Sequence, residues 1–314
     1  MNAITGKKIA SLSPAPMVSG ILEPVMDGFI GGISACAFSD DGTSIACITG
    51  DIYNSLHIFT TVTGGWNDAK IVFSGPVDTK PVNYVSFIPK GGDYHLVTCG
   101  GGGHAGSKIM FWRISGRTAS SDEAEFAITP PPITSITSVG PGMICLGYSN
   151  GSMGLWEGKT NSETTIAASH TGAVTALCSQ GLKILVSGSN DCIRLHERID
   201  QQFEVKREIS MKEVVSNITR TYPSYGLPFA TSISTDKESK RLLVSLSSNA
   251  LTEISVSTAA VGLLVEGNMK VGPNSLVTLA HPTEEHSLLT LHKEEKILKV
   301  ILFFASFLRY VWSD

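Results

Sequence analysis

Three groups of residues in this 314-residue chain have the types that acid–base, phosphate or metal chemistry uses. His170, Ser187 and Asp191 could supply a hydrolytic triad, in which an imidazole draws a proton from a hydroxyl while a carboxylate orients the ring. A working nucleophile also needs an exposed elbow and an oxyanion site, and no Gly-x-Ser-x-Gly elbow surrounds Ser187. Gly101-Gly-Gly-His-Ala-Gly-Ser-Lys108 has the glycines and the cation of a phosphate loop. Its Ser107 and Lys108 stand in the reverse of the Gly-Lys-Ser/Thr order, and a strand-like run follows where a helix should open. It reads as a long turn between two strands. His281, His286 and His292, with Glu284, Glu285, Glu294 and Glu295, are metal-ligand types without a His-Glu-x-x-His helix or paired cysteines, and read as a solvated charged turn. No catalytic centre, cofactor or metal is expected.

The elements that would position these groups recur along the chain. Lys108-Ile-Met-Phe-Trp112 and Gly151-Ser-Met-Gly-Leu-Trp156 each end a unit on an aromatic anchor, and Cys192-Ile-Arg-Leu-His196 ends a third with His196 in the tryptophan's place. The anchors lie 44 and then 40 residues apart, which is the pitch of β-propeller blades. Each unit holds alternating apolar runs broken by turn residues, as in Ile33–Phe38, Ser39-Asp-Asp-Gly42 and Ile45–Ile48. Weaker units follow at Thr231–Ser255 and Leu276–Val300. The expectation is an all-β propeller of about six four-stranded blades over 28–300, whose ring either closes or is incomplete. Residues 1–27 form an extension or partial blade, and 301–314 an apolar tail in which Val300–Phe304 supplies the last outer strand. Ser115–Glu125 and Lys206–Pro228 read as loops, the second as a binding loop or a segment covering a blade edge.

Composition narrows the function classes. With 42% hydrophobic residues, 17% charged and a net charge of −4, the chain lacks the clustered basic footprint that nucleic-acid binding needs. Its six cysteines come without Cys-x-x-Cys pairs and read as small buried hydrophobes in a reducing compartment. The opening residues have no secretory pattern, and Val300–Trp312 falls short of the roughly 20 apolar residues a spanning helix requires, so a membrane is not expected.

Three stretches resemble WD repeats, and more narrowly the atypical repeats of the echinoderm microtubule-associated protein-like family: Tyr84–Pro89 with Leu96–Gly100 and Lys108–Trp112; Ile144–Gly151 with Leu155-Trp156; and His170–Cys178 with Leu185–Asp191. The resemblance runs from about Gly28 to Val300 and is strongest up to Arg198. It implies that His170, Ser187 and Asp191, with the anchors Trp112, Trp156 and His196, form a structural blade network, not an active site. It also implies a non-enzymatic, protein-binding chain whose partner is tubulin or the microtubule, in the cytoplasm on the cytoskeleton. A scaffold in another multiprotein complex is the alternative, and a propeller enzyme a further one. The family's usual basic coiled-coil region and second propeller have no counterpart in these residues. Contacts would come from aromatics at loop ends, the candidates being Tyr53, Trp66, Tyr94, Tyr148, Tyr222 and Tyr225.

Overall fold

The computed structural model describes residues 10–11, 33–61, 69–78, 80–100, 107–126, 129–158, 162–167, 170–200, 202–218, 227–235, 240–248, 250–265, 276–280, 287–292 and 297–302, the first segment, residues 264–265 and the last three segments by backbone alone. The strands make six four-stranded antiparallel sheets. The first strand, β1 (Ala10–Ser11), belongs to the last sheet. Blade 1 is β2 (Ile33–Phe38), β3 (Ser44–Thr49), β4 (Leu56–Thr60) and β5 (Lys70–Gly75). Blade 2 is β6 (Val82–Phe87), β7 (Leu96–Gly100), β8 (Lys108–Ser115) and β9 (Thr118–Glu123). Blade 3 is β10 (Ile133–Gly140), β11 (Met143–Tyr148), β12 (Met153–Glu157) and β13 (Ser162–Ile166). Blade 4 is β14 (Ala176–Gln180), β15 (Ile184–Gly188), β16 (Cys192–Ile199) and β17 (Gln202–Ser210), followed by the helix α1 (Met211–Ile218). Blade 5 is β18 (Ala230–Thr235), β19 (Arg241–Leu246), β20 (Leu251–Ser255) and β21 (Val261–Val265). The last sheet joins β22 (Leu276–Ala280), β23 (Ser287–His292) and β24 (Ile297–Leu302) to β1. In place of about six like blades, the described residues therefore make five built from consecutive strands and one composite sheet.

Burial follows strand position within a blade. The second strands β3, β7, β11 and β15 are buried at nearly every residue, because a neighbouring blade covers each face of the sheet. The outer strands β9 and β13 pair along one edge only and are largely exposed. That difference explains the departures from the sequence reading. Ser115–Glu125 is no loop: a two-residue turn with Gly116 at φ 58° folds Thr118–Glu123 back onto β8. An outer strand without an apolar face leaves no periodic signal.

Lys206–Pro228 divides similarly. Its start belongs to β17, and Met211–Ile218 is helical, with the Ser210 hydroxyl accepting the Lys212 amide at 3.2 Å as an N-cap. Met211, Val214 and Val215 share one buried stripe against blades 4 and 5, so this segment covers a blade edge. Val300–Phe304 is not the last outer strand either. Ile297–Leu302 is the third strand of its sheet, and Ala10–Ser11 lies outside it through the pairs Ala10↔Val300 and Ser11↔Lys299. The remainder of 1–27 and residues 303–314 lie outside the described residues.

The first strands pack against one another in succession around a central channel of about 800 Å³. Hydroxyls tie these strands together. Ser34 Oγ donates to Val82 O at 2.7 Å, Thr134 Oγ1 to Val174 O at 2.8 Å and Thr175 Oγ1 to Ala230 O at 2.6 Å, each crossing to the next blade. Asn83 holds the corresponding place between blades 2 and 3.

Candidate functional site: the blade network and the blade 1 tip

His170 precedes β14, Ser187 lies on β15, Asp191 in the turn that follows, and His196 on β16. The fold brings all four together. His170 Nδ1 is 2.9 Å from Asp191 Oδ1, His170 Nε2 is 2.8 Å from Ser187 Oγ, and Ser187 Oγ is 2.8 Å from His196 Nε2. Asp191 also accepts the Thr171 amide and hydroxyl, both at 3.0 Å, and the Cys192 amide at 2.7 Å. Burial alone would push its carboxyl up, but these donors outweigh burial and hold it well below the usual carboxylate range.

An ionised Asp191 fixes the proton order through the rest. His170 Nδ1–H donates to it, which leaves Nε2 to accept the Ser187 O–H, and the Ser187 oxygen then accepts from His196 Nε2–H. His196 Nδ1 is left as a buried lone pair without a partner. Burial, reinforced by the charges of His170 and Arg194, lowers His196 to about 4. Burial likewise lowers His170, with Asp191 opposing it. Ser187 and His196 are fully buried, so the hydroxyl is enclosed between two rings and has no face open to a substrate.

Strand register places the same two positions in every blade, and their contents decline. Leu185↔His196 in blade 4 matches Leu96↔Trp112, Ile144↔Trp156, Ile45↔Phe59 and Leu242↔Ile254 in the others. The residue two further along the second strand is Ser187 in blade 4, Thr98 in blade 2, Cys47 in blade 1, Leu146 in blade 3 and Val244 in blade 5. Trp112 Nε1 donates to Thr98 Oγ1 at 2.9 Å. Trp156 Nε1, facing the leucine's place, is buried and unpartnered, and its ring packs on Phe126 at 4.6 Å between centroids.

His170, Asp191 and Cys192 also place one ligand-type atom each within 4.8 Å of the others. His170 Nδ1 is committed to Asp191, and burial first, then the charge of Asp191, pushes the Cys192 thiol up to about 12, so this is a poor set of metal donors. The side chains of His281, His286 and His292 and the loop residues 101–106 lie outside the described residues. Lys108, at the end of that loop, faces Glu123 at 3.1 Å and Asp78 at 3.5 Å, and is not a free phosphate clamp. Arg194 and Lys206 are paired to Glu208 and Glu197, and form no basic patch. Among the described residues no helix is long and apolar enough to cross a membrane.

Of the six candidate contact aromatics, Trp66, Tyr222 and Tyr225 lie outside the described residues. Tyr148 is buried with its hydroxyl on Glu163, and Tyr94 packs against Phe111 and under Arg113. Tyr53 is 54% exposed, beside Ile52 at 74%, a neighbour that sequence reading passed over. The turn beneath them is tightly held. Asp51 accepts the Tyr53 amide at 2.8 Å and the Thr49 hydroxyl at 2.7 Å, while Asn54, at φ 45°, donates from its side chain to Asp78 O at 2.9 Å and Lys80 O at 2.8 Å. Tyr53 O accepts the Val77 and Asp78 amides, both at 3.1 Å.

Four-stranded blades around a channel, tied in blade 4 by a His–Ser–Asp network, define a β-propeller. Its strands match 1441 solved chains, among them the β-propeller domain of Cps50 (Swd1) from Myceliophteria thermophila, with a TM-score of 0.59 and 13% identity over 85% of this chain and 82% of that one. At that identity the likeness speaks for the fold. No protein-family model and no curated protein matches the sequence.

Proposed function

We propose that this chain is a non-enzymatic WD-repeat scaffold that holds a protein partner, that the partner is tubulin or the microtubule, and that it works in the cytoplasm on the cytoskeleton. The exposed Ile52–Tyr53 pair on a hydrogen-bonded turn carries the protein-binding part, because a rigid aromatic and aliphatic tip loses little entropy on docking. The enclosure of Ser187 between His170 and His196 supports a network that holds blade 4 together over one that turns over substrate. Tubulin rests on the resemblance of the blade 2, 3 and 4 stretches alone. Co-sedimentation of the purified chain with stabilised microtubules at micromolar concentration tests both parts. Saturable capture, weakened at least about tenfold by Tyr53→Ala with folding intact, is the expected result. No capture removes tubulin, and capture indifferent to both Ile52→Ala and Tyr53→Ala removes the tip.

A further inference from the structure

Of the six cysteines, Cys36 and Cys47 are the pair that the described strand registers set directly opposite each other, on β2 and β3 of blade 1. The Ser39 amide bonds Ser44 O at 2.9 Å at the turn end of this hairpin. Antiparallel pairs alternate, so three steps further Cys36↔Cys47 is a non-hydrogen-bonded pair. At such pairs the side chains stand closest, with Cα atoms about 4.5 Å apart, inside the window a disulfide spans. Register also puts the two thiols on the same face of the sheet. They differ in access: Cys36 lines the central channel and is partly exposed, while Cys47 is fully buried.

We propose that Cys36 and Cys47 form a dithiol oxidation site that takes a hydroperoxide from the central channel and closes to an intrablade disulfide. The Cys36 sulfur attacks the terminal peroxide oxygen; an S–O bond forms, the O–O bond breaks, and the alcohol, or water from hydrogen peroxide, leaves with the thiol proton. The Cys47 sulfur then attacks the Cys36 sulfenic acid; the S–S bond forms, the S–O bond breaks, and the leaving hydroxide takes the Cys47 proton away as water. Two thiols are oxidised by two electrons, and one peroxide is reduced. Burial, with Cys36 beside it, pushes the Cys47 thiol well above the usual range, which makes Cys47 the second partner and never the first. The site is independent of any protein partner.

The test treats the full chain with one equivalent of hydrogen peroxide, blocks remaining thiols, and maps the unreduced digest by mass spectrometry. The expected result is a peptide linking Cys36 to Cys47, with both thiols disappearing in step and the intact mass falling by two hydrogens. Cys47→Ser should stall at a Cys36 sulfenic acid that dimedone labels, and Cys36→Ser should leave Cys47 reduced. A wild-type digest in which Cys36 is over-oxidised while Cys47 stays alkylatable, or in which the linkage joins other cysteines, overturns the proposal without depending on how either variant folds.

Discussion

Blades 3 and 4 carry equivalent anchors in equivalent register, yet they solve the same burial problem in opposite ways. Blade 4 has a chain of polar groups in which each donor finds an acceptor, from His196 through Ser187 and His170 to Asp191, and the lone pair of His196 Nδ1 is left over. In blade 3 Leu146 takes the hydroxyl's place, Trp156 keeps an unbonded N–H, and Phe126 covers the ring. A buried polar network is therefore not required to make a blade here. What it adds in blade 4 is a fixed connection between the loop before β14 and the turn before β16, through Thr171 and Asp191. In blade 3 the corresponding tie is a single backbone bond, the Ser149 amide donating to Pro132 O at 2.9 Å, while Asn150, in Asp191's place, accepts the Ser152 amide and hydroxyl of its own turn at 3.1 and 2.7 Å.

The largest expected effect breaks the blade 4 side of this contrast. Asp191→Ala strips His170 and two amides of their acceptor, and should cost about 3 kcal/mol in urea unfolding, whereas Asn150→Ala in blade 3 should cost about 1 kcal/mol or less. Equal losses would mean that the network adds nothing beyond its turn.

Acid should act on blade 4 in a comparable range. The unfolded chain protonates His196 near its ordinary 6.5, the folded chain only near 4, so between these values the unfolded state binds more protons. Stability then falls as pH drops from about 6.5 toward 4, by up to about 3 kcal/mol, and His170 adds in the same direction. Urea midpoints from pH 7 to 5 would reveal this, and His196→Trp should flatten the slope; a slope unchanged in that variant would exonerate His196.

A finer comparison isolates one hydrogen bond. Trp112→Phe leaves Thr98 without its donor, while Trp156→Phe removes an N–H that has no partner, so the first should be more destabilising by about 1 kcal/mol for the same ring contraction. Indistinguishable midpoints would show that the Thr98 bond contributes nothing net. The smallest effect is expected at the channel, where Thr175→Val loses the bond to Ala230 O and should cost roughly 0.5–1 kcal/mol by thermal or urea unfolding.

Much of this was legible in the residues, and the rest was obscured for identifiable reasons. The second strands and the anchors Trp112, Trp156 and His196 announce themselves because both faces of each sheet are buried. The strand Thr118–Glu123 does not, since it answers only to its partner β8 and to the turn at Gly116. The vacancy at Leu146 was readable by laying Met143–Gly147 over Ile184–Gly188, which puts leucine on serine. Cys36 facing Cys47 was hidden because each cysteine, taken singly, is only a small apolar residue; the hairpin turn at Ser39–Ser44 supplies the register that pairs them. Ile52 was missed because a lone aliphatic in a turn carries no pattern.

The pairing of Ala10 with Val300 and Ser11 with Lys299 has a consequence for the order in which the molecule is made. Blades 1 to 5 each consist of neighbouring hairpins, and each can assemble soon after its own residues leave the ribosome. The last sheet cannot, because its outer strand is synthesised long before its other three strands, and closing so long a loop is the slow, entropically costly kind of contact. During translation the nascent chain therefore holds an early strand in waiting, and its sheet is completed only when three much later strands have emerged.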